Sequence, residues 1–152
     1  GLTIEAKRGA FKGGADSLLM CKNIENVSLE GRGATFLMHR SDYANKSLYN
    51  HSESRMGLQI HGCRNISVTG LNISNTGGDG IYISGNGGHM MLPNGSRVYV
   101  SQRNESRDVT LQSVYCHNNY RQGLSVISVV NLTVKDSVFS GTNGTLPMCR
   151  YQ

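Results

Sequence analysis

A chain of 152 residues with 19 Gly, 2 Pro and few helix formers is one domain long and can bury a core of its own. Its net charge of +5 comes from scattered Lys and Arg, which argues against a nucleic-acid tract and fits a surface drawn to anionic polysaccharide. No apolar run approaches the length of a membrane-spanning helix. Without an initiating Met or a signal peptide, the sequence reads as a mature, trimmed or partial chain.

No window carries a clean 3.6-residue apolar period, and period-2 segments recur throughout, so the chain is all-β. In chain order, the first clear strand is NVSLEG at 26–31, followed by the apolar Ala34. A polar, turn-rich stretch at 41–55 reads as an inserted surface loop. GLQIHG (57–62), NISVTG (65–70) and LNISNTGGDGIYIS (71–84) follow, and a second polar insertion occupies 85–107. The pattern resumes with DVTLQS (108–113), VYCHNNYRQGLSVIS (114–128), NLTVKD (131–136) and SVFSGTNGTLP (137–147).

These segments superimpose. Gly57 to Gly80 is 23 residues, and so is Asp108 to Asn131. Asn65 to Asp108 and Gly80 to Gly123 are both 43, so the second insertion preserves the register; Asn26 to Asn65 is 39. Aligned positions form apolar columns: Val27, Ile66, Val109 and Leu132; Leu29, Val68, Leu111 and Val134; Ala34, Ile73, Cys116 and Phe139; Leu58, Ile81 and Leu124. Period 2 turns each column inward, and coils stacked about 4.8 Å apart bury it as a continuous ladder. The prediction is a single parallel β-helix domain over 1–152, of about five coils of roughly 23 residues with two loop insertions, within a longer β-helix. An antiparallel sandwich would not repeat residue by residue, and the hexapeptide period of a left-handed β-helix is absent.

The run GCRNISVTGLNISNTGGDGIYISG, followed by CHNNYRQGLSVIS, resembles the right-handed parallel β-helix proteins of the pectin-lyase-like superfamily, over roughly residues 17–147. The resemblance implies the handedness of the coil. It leaves the chemistry open, because that superfamily includes lyases, hydrolases, epimerases and adhesins. Its members usually continue into further, more acidic coils, where this sequence stops at MCRYQ.

The repeat also places the candidate site. Asp79 falls one coil below Gln122, Gly78 below Arg121 and Gly77 below Tyr120. One turn edge therefore gathers Asp79, His117, Asn118, Asn119, Tyr120, Arg121 and Gln122, with Gly77 and Gly78 expected to leave room for a ligand. Glycoside hydrolysis generally needs two carboxylates about 5–9.5 Å apart. Asp79 is the only acid the repeat brings to this edge, and NTGGD lacks the paired aspartates of the related polygalacturonases; GGHM around His89 lies inside an insertion. β-Elimination is easier to cast: Arg121 neutralises a uronate, Tyr120 or His117 takes the proton, and Asp79 orients Arg121 or binds a cation. The cofactor is left unknown: no metal motif is present, and calcium stays open at Asp79 without a motif behind it. Against any chemistry stands a purely structural reading, in which Asn and Asp ladder the corners and Arg121 pairs with Asp79 between coils. His39, His51, His61 and His89 are dispersed and read as surface residues.

Nine Asn-x-Ser/Thr sequons occur where composition predicts about two. Asn26, Asn65 and Asn131 head equivalent strands and recur with the repeat. Asn45, Asn50, Asn94 and Asn104 lie in the insertions, where no ladder requires them; with Asn72 and Asn143 they are the candidate glycosylation sites, and they point to a secreted glycoprotein. Cys21, Cys63, Cys116 and Cys149 fit no metal motif and leave disulfide connectivity open, with Cys116 at an inward position. Two functions follow. One is a secreted β-helix that binds or cleaves acidic extracellular polysaccharide, as a lyase rather than a two-carboxylate hydrolase if it is an enzyme. The other is a structural glycoprotein that self-associates end to end through its coil ends.

Overall fold

The computed structural model describes residues 1–85, 88–100 and 105–144. Strands β1 (Thr3–Glu5), β3 (Glu25–Leu37), β5 (Arg64–Ser74), β9 (Ser106–Gln112), β10 (Tyr115–His117), β12 (Val129–Lys135) and β13 (Val138–Ser140) form one sheet. Strands β2 (Ala15–Lys22), β4 (Ser54–His61), β6 (Ile81–Ser84) and β11 (Leu124–Val126) form a second. Every pairing in both sheets is parallel, and successive coils supply successive strands, as in a β-helix.

The first sheet bends, because the long strands β3 and β5 turn a corner partway along. Each coil thus has two limbs in the first sheet and one in the second. Columns of left-handed residues mark the three corners. Asn26, Asn65, Asp108 and Asn131 open the first limb with φ of 52–61°; Arg32, Gly70, Ser113 and Asp136 join the limbs; Asn75, Asn118 and Gly141 lead toward the second sheet. Asn and Asp tolerate this conformation because their short side chains bond locally. Here they also bond between coils: Asn65 Nδ2 donates to Asn26 Oδ1 at 2.8 Å and Asn131 Nδ2 to Asp108 Oδ1 at 2.9 Å.

The inward columns assemble as expected. Val27 pairs with Ile66, Ile66 with Val109 and Val109 with Leu132; Leu58 pairs with Ile81 and Ile81 with Leu124. Leu58, Ile60, Ile73, Ile81, Ile83 and Leu111 have no exposed surface at all. One column needs correction. Ala34 stands opposite Leu71, and it is Phe36 that stands opposite Ile73. The cause is a bulge between Glu30 and Ala34: Gly31-Arg32-Gly33 occupies the corner that Gly70 alone fills in the next coil. Arg32 and Gly33 both take positive φ there, so the 39-residue offset holds through Glu30 and then shortens.

The insertions are built differently. The first begins with one turn of helix, α1 (Arg40–Tyr43), and ends earlier than predicted: Ser54 and Arg55 already pair with Ala15 and Asp16 in β4. The second carries an antiparallel hairpin, β7 (Gly88–Met91) and β8 (Arg97–Val100), and ends where Ser106 and Arg107 enter β9. Cys21, Cys63 and Cys116 are free thiols; Cys149 lies outside the described residues. Burial pushes the Cys116 thiol up to about 12, so it behaves as a small hydrophobe.

Candidate functional site

The corner between the second limb and the second sheet carries the candidate site. Its backbone is stapled from coil to coil. Tyr120 N–H donates to Thr76 O at 3.1 Å, Arg121 N–H to Gly78 O at 3.0 Å, and Gly80 N–H to Gln122 O at 2.9 Å. Asn119 belongs to the same staple, with its Oδ1 accepting from the Thr76 hydroxyl at 3.0 Å and the Thr76 N–H at 3.3 Å. It is buried, so its placement corrects the expectation that it faces a ligand.

Asp79 is also inside, with none of its surface exposed. Its Oδ1 accepts the Gln122 N–H at 3.1 Å, its own N–H points at Met56 Sδ, and its carbonyl accepts the Gly57 N–H. The carboxyl thus clips its coil to the one above while its backbone clips to the one below. Burial raises its pKa above the ordinary carboxylate range. The Ser125 hydroxyl, Arg121 and the Gln122 N–H oppose that rise, and Glu53 adds to it.

Glu53 is the residue that sequence reasoning missed at this corner. It comes from the first insertion and approaches Arg121 Nε to 3.4 Å, while Asp79 Oδ1 approaches the same nitrogen to 3.7 Å. The corner therefore holds two carboxylates, not one, both close to the same guanidinium nitrogen. Both separations exceed hydrogen-bond length, so the cluster is held by charge rather than by directed bonds. Arg121 keeps 24% of its side chain exposed and Glu53 25%. The buried Nε of Arg121 makes no hydrogen bond among the described residues, and its terminal nitrogens donate to none of them.

The glycines do not leave the room expected of them. A Cβ on Gly77 would fall 2.5 Å from the Tyr43 ring, and one on Gly78 would fall 2.4 Å from Glu53 O and 2.8 Å from Met56 Sδ. The space beneath Tyr120 and Arg121 is filled by the chain itself, with Gly78 packed against Glu53 and Met56. His117 is also drawn away. It lies on the outer face of β10, stacked on Tyr115 with ring centroids 4.6 Å apart. Asn118 holds a left-handed corner at φ 55°, and Gln122 Oε1 accepts from the Ser125 hydroxyl at 3.3 Å. The structure thus brings together Asp79, Arg121 and Gln122, adds Glu53, and leaves His117 on another face.

No protein-family model matches the sequence, and no curated protein matches it. Among solved structures, the chain is similar to a polygalacturonase from Erwinia carotovora ssp. carotovora, at 14% identity and a TM-score of 0.53. The fold is the right-handed parallel β-helix. The likeness takes in 80% of this chain and 26% of that enzyme, about a quarter of its length, and at this identity it establishes the β-helix alone.

The β-helix also sorts the sequons. Asn65 and Asn131 spend an amide N–H on the corner ladder, and Asn72 Nδ2 donates to Gly33 O at 3.3 Å. Asn45 and Asn94 instead form local turns through Oδ1, which accepts from Ser47 N–H and Ser96 N–H respectively, both at 3.0 Å. Asn50 and Asn143 are exposed; Asn104 lies outside the described residues.

Proposed function

We propose that this β-helix is an extracellular glycoprotein that holds an acidic polysaccharide along the corner at Arg121 without cleaving it there. One observation carries the reading: Arg121 is partly exposed, is braced on Nε by two carboxylates, and its terminal nitrogens donate to none of the described residues. A braced guanidinium suits bidentate recognition of a carboxylate or sulfate, because little side-chain freedom remains to be lost on binding. Binding is favoured over catalysis because both acids are already matched to Arg121, and Asp79 has no access to solvent. A uronate oligosaccharide should bind the chain saturably and leave it unaltered. Arg121→Ala should weaken that binding by roughly one to two decades, the worth of a charge-assisted contact of about 1.5–3 kcal/mol. Equal affinity in a natively folded Arg121→Ala chain would refute the reading, and release of shortened, unsaturated sugars would convert it to a lyase.

The excess of sequons supports the extracellular setting. Asn45, Asn50, Asn94 and Asn143 are the favoured acceptors on exposure and local geometry, ahead of the half-buried Asn72. A glycopeptide map of the chain from its native source should find sugar on at least one of the four and none on the ladder residues Asn65 and Asn131.

End-to-end association is the second reading, favoured by Ile4, Val134 and Val138, which stand exposed at the two ends of the described coils. Ile4 and Val134 continue columns that are buried in the middle. Under it, sedimentation should show mass rising with concentration, and Val134→Lys should abolish the rise.

A further inference from the structure

The loop leading into β2 and the first insertion line a half-open cavity of about 520 Å³, none of whose lining residues belongs to the Arg121 cluster. That is the size of a small-molecule pocket, typically about 300–1,000 Å³. Arg8 and Lys12 line it from the loop; Asp42, Asn45, Leu48 and Tyr49 line it from the insertion. We infer that this cavity is a binding site for a small acidic sugar, one ring carrying a carboxylate or a sulfate, on the juxtaposition of Arg8 and Lys12 with the buried Tyr49.

Three features point to that ligand. The first is charge. Asp42, the acid in the wall, is matched to Arg8, and the Lys12 ammonium makes no ion pair among the described residues. The second is what lies behind the wall. The Arg55 guanidinium sits 5.5 Å from the Tyr49 ring centroid and contacts no carboxylate among the described residues; its partners are carbonyl oxygens. Its positive charge adds to the potential inside a partly enclosed, low-dielectric space. The third is shape. Tyr49 is fixed by its hydroxyl, which accepts the Gly9 N–H at 3.0 Å, and by edge-on packing against Tyr43. Tyr49 thereby fixes that wall, and Leu48, 55% exposed, offers the apolar surface to a sugar ring, while the cations take the acid group. The site stands whether or not Arg121 engages a polysaccharide.

The test uses the full chain made without N-glycans, because Asn45 lines the cavity. Amide resonances are followed while digalacturonate, a sulfated disaccharide and a neutral disaccharide are titrated in turn. Saturable shifts in residues 8–12 and 45–49 with at least one acidic sugar, and not with the neutral one, are expected; which acidic sugar responds separates carboxylate from sulfate. The double variant Arg8→Ala/Lys12→Ala should weaken the response by about tenfold or more. Arg8 is 68% exposed, so the fold should survive, and the same spectra report it; Lys12→Gln alone serves if it does not. The inference falls if those amides are still at about 10 mM sugar, if the neutral sugar moves them equally, or if a folded variant binds unchanged. Shifts confined to residues 119–123 would overturn it while upholding the Arg121 reading.

Discussion

Two arginines flank the same corner and have opposite surroundings. Arg55 has no exposed surface and contacts no acid among the described residues. Its Nε donates to Phe11 O at 2.8 Å, its terminal nitrogens reach the carbonyls of Asn50, Ser52 and Lys12, and its plane lies against Tyr43 and Tyr49. Arg121 is partly exposed, meets two acids, and fills none of its terminal donors from the described residues. The first arginine replaces a core: it ties the N-terminal loop to an insertion that has little apolar surface to bury. The second is held in position with its donors unspent. A cation with saturated donors serves the fold, whereas one braced but unsaturated is available to a ligand.

The largest effect should come from Arg55. Arg55→Ala leaves several part-buried carbonyls without their donor and removes the stem packed on two rings, and should cost about 3 kcal/mol, at roughly 1 kcal/mol for each hydrogen bond lost plus the lost packing. Arg55→Lys keeps the charge but not the planar fork, and should fall between Ala and wild type. Urea midpoints give both values. A loss in Arg55→Ala below about 1 kcal/mol, the size of a surface pair, would erase the contrast between the two residues.

Arg121→Ala should be mild by the same measurement. Arg121 and Glu53 are partly exposed, Asp79 is buried, and both contacts are longer than hydrogen bonds, so about 1–2 kcal/mol is expected, below the loss in Arg55→Ala, even as polysaccharide affinity falls by the decades given above. The reverse, a large loss of stability with unchanged affinity, would place Arg121 with Arg55 among the structural residues.

The repeat was legible because its cause is periodic. Every coil must bury residues at the same offsets, so Ile66, Val109 and Leu132 announce one another, and Gly80 finds Gly123 across an insertion of about 20 residues. Asp79 and Arg121 were legible for the same reason, each lying on a repeated turn. Ala34 was misplaced because a bulge changes the count without disturbing the apolar pattern on either side. Glu53, Arg55 and the cavity were not legible at all. They sit in or beside a segment present in one coil only, and a non-repeated loop has no second copy against which to be read. The exposure of Asp79 was misjudged through the same gap, since what covers its corner includes Tyr43 and Glu53 from that loop.

The smallest expected effect concerns pH, and it asks whether Asp79 belongs with the saturated or the unsaturated residues. Burial dominates its pKa, which lies above the ordinary carboxylate range despite Arg121. An acid that is harder to ionise when folded binds its proton more tightly in the native state. Its contribution is therefore fully favourable below the unfolded carboxylate pKa, near 3.9, and is lost as pH rises through the higher folded value. Asp79→Asn keeps an oxygen for the Gln122 N–H and removes the titration. Measured from about pH 3 upward, the wild type should thus lose stability relative to Asp79→Asn across the window above that unfolded value, then run parallel to it. If the wild type instead gains on the variant as pH rises, attraction to Arg121 outweighs burial. Asp79 would then be an ion-pair partner first and a coil clip second.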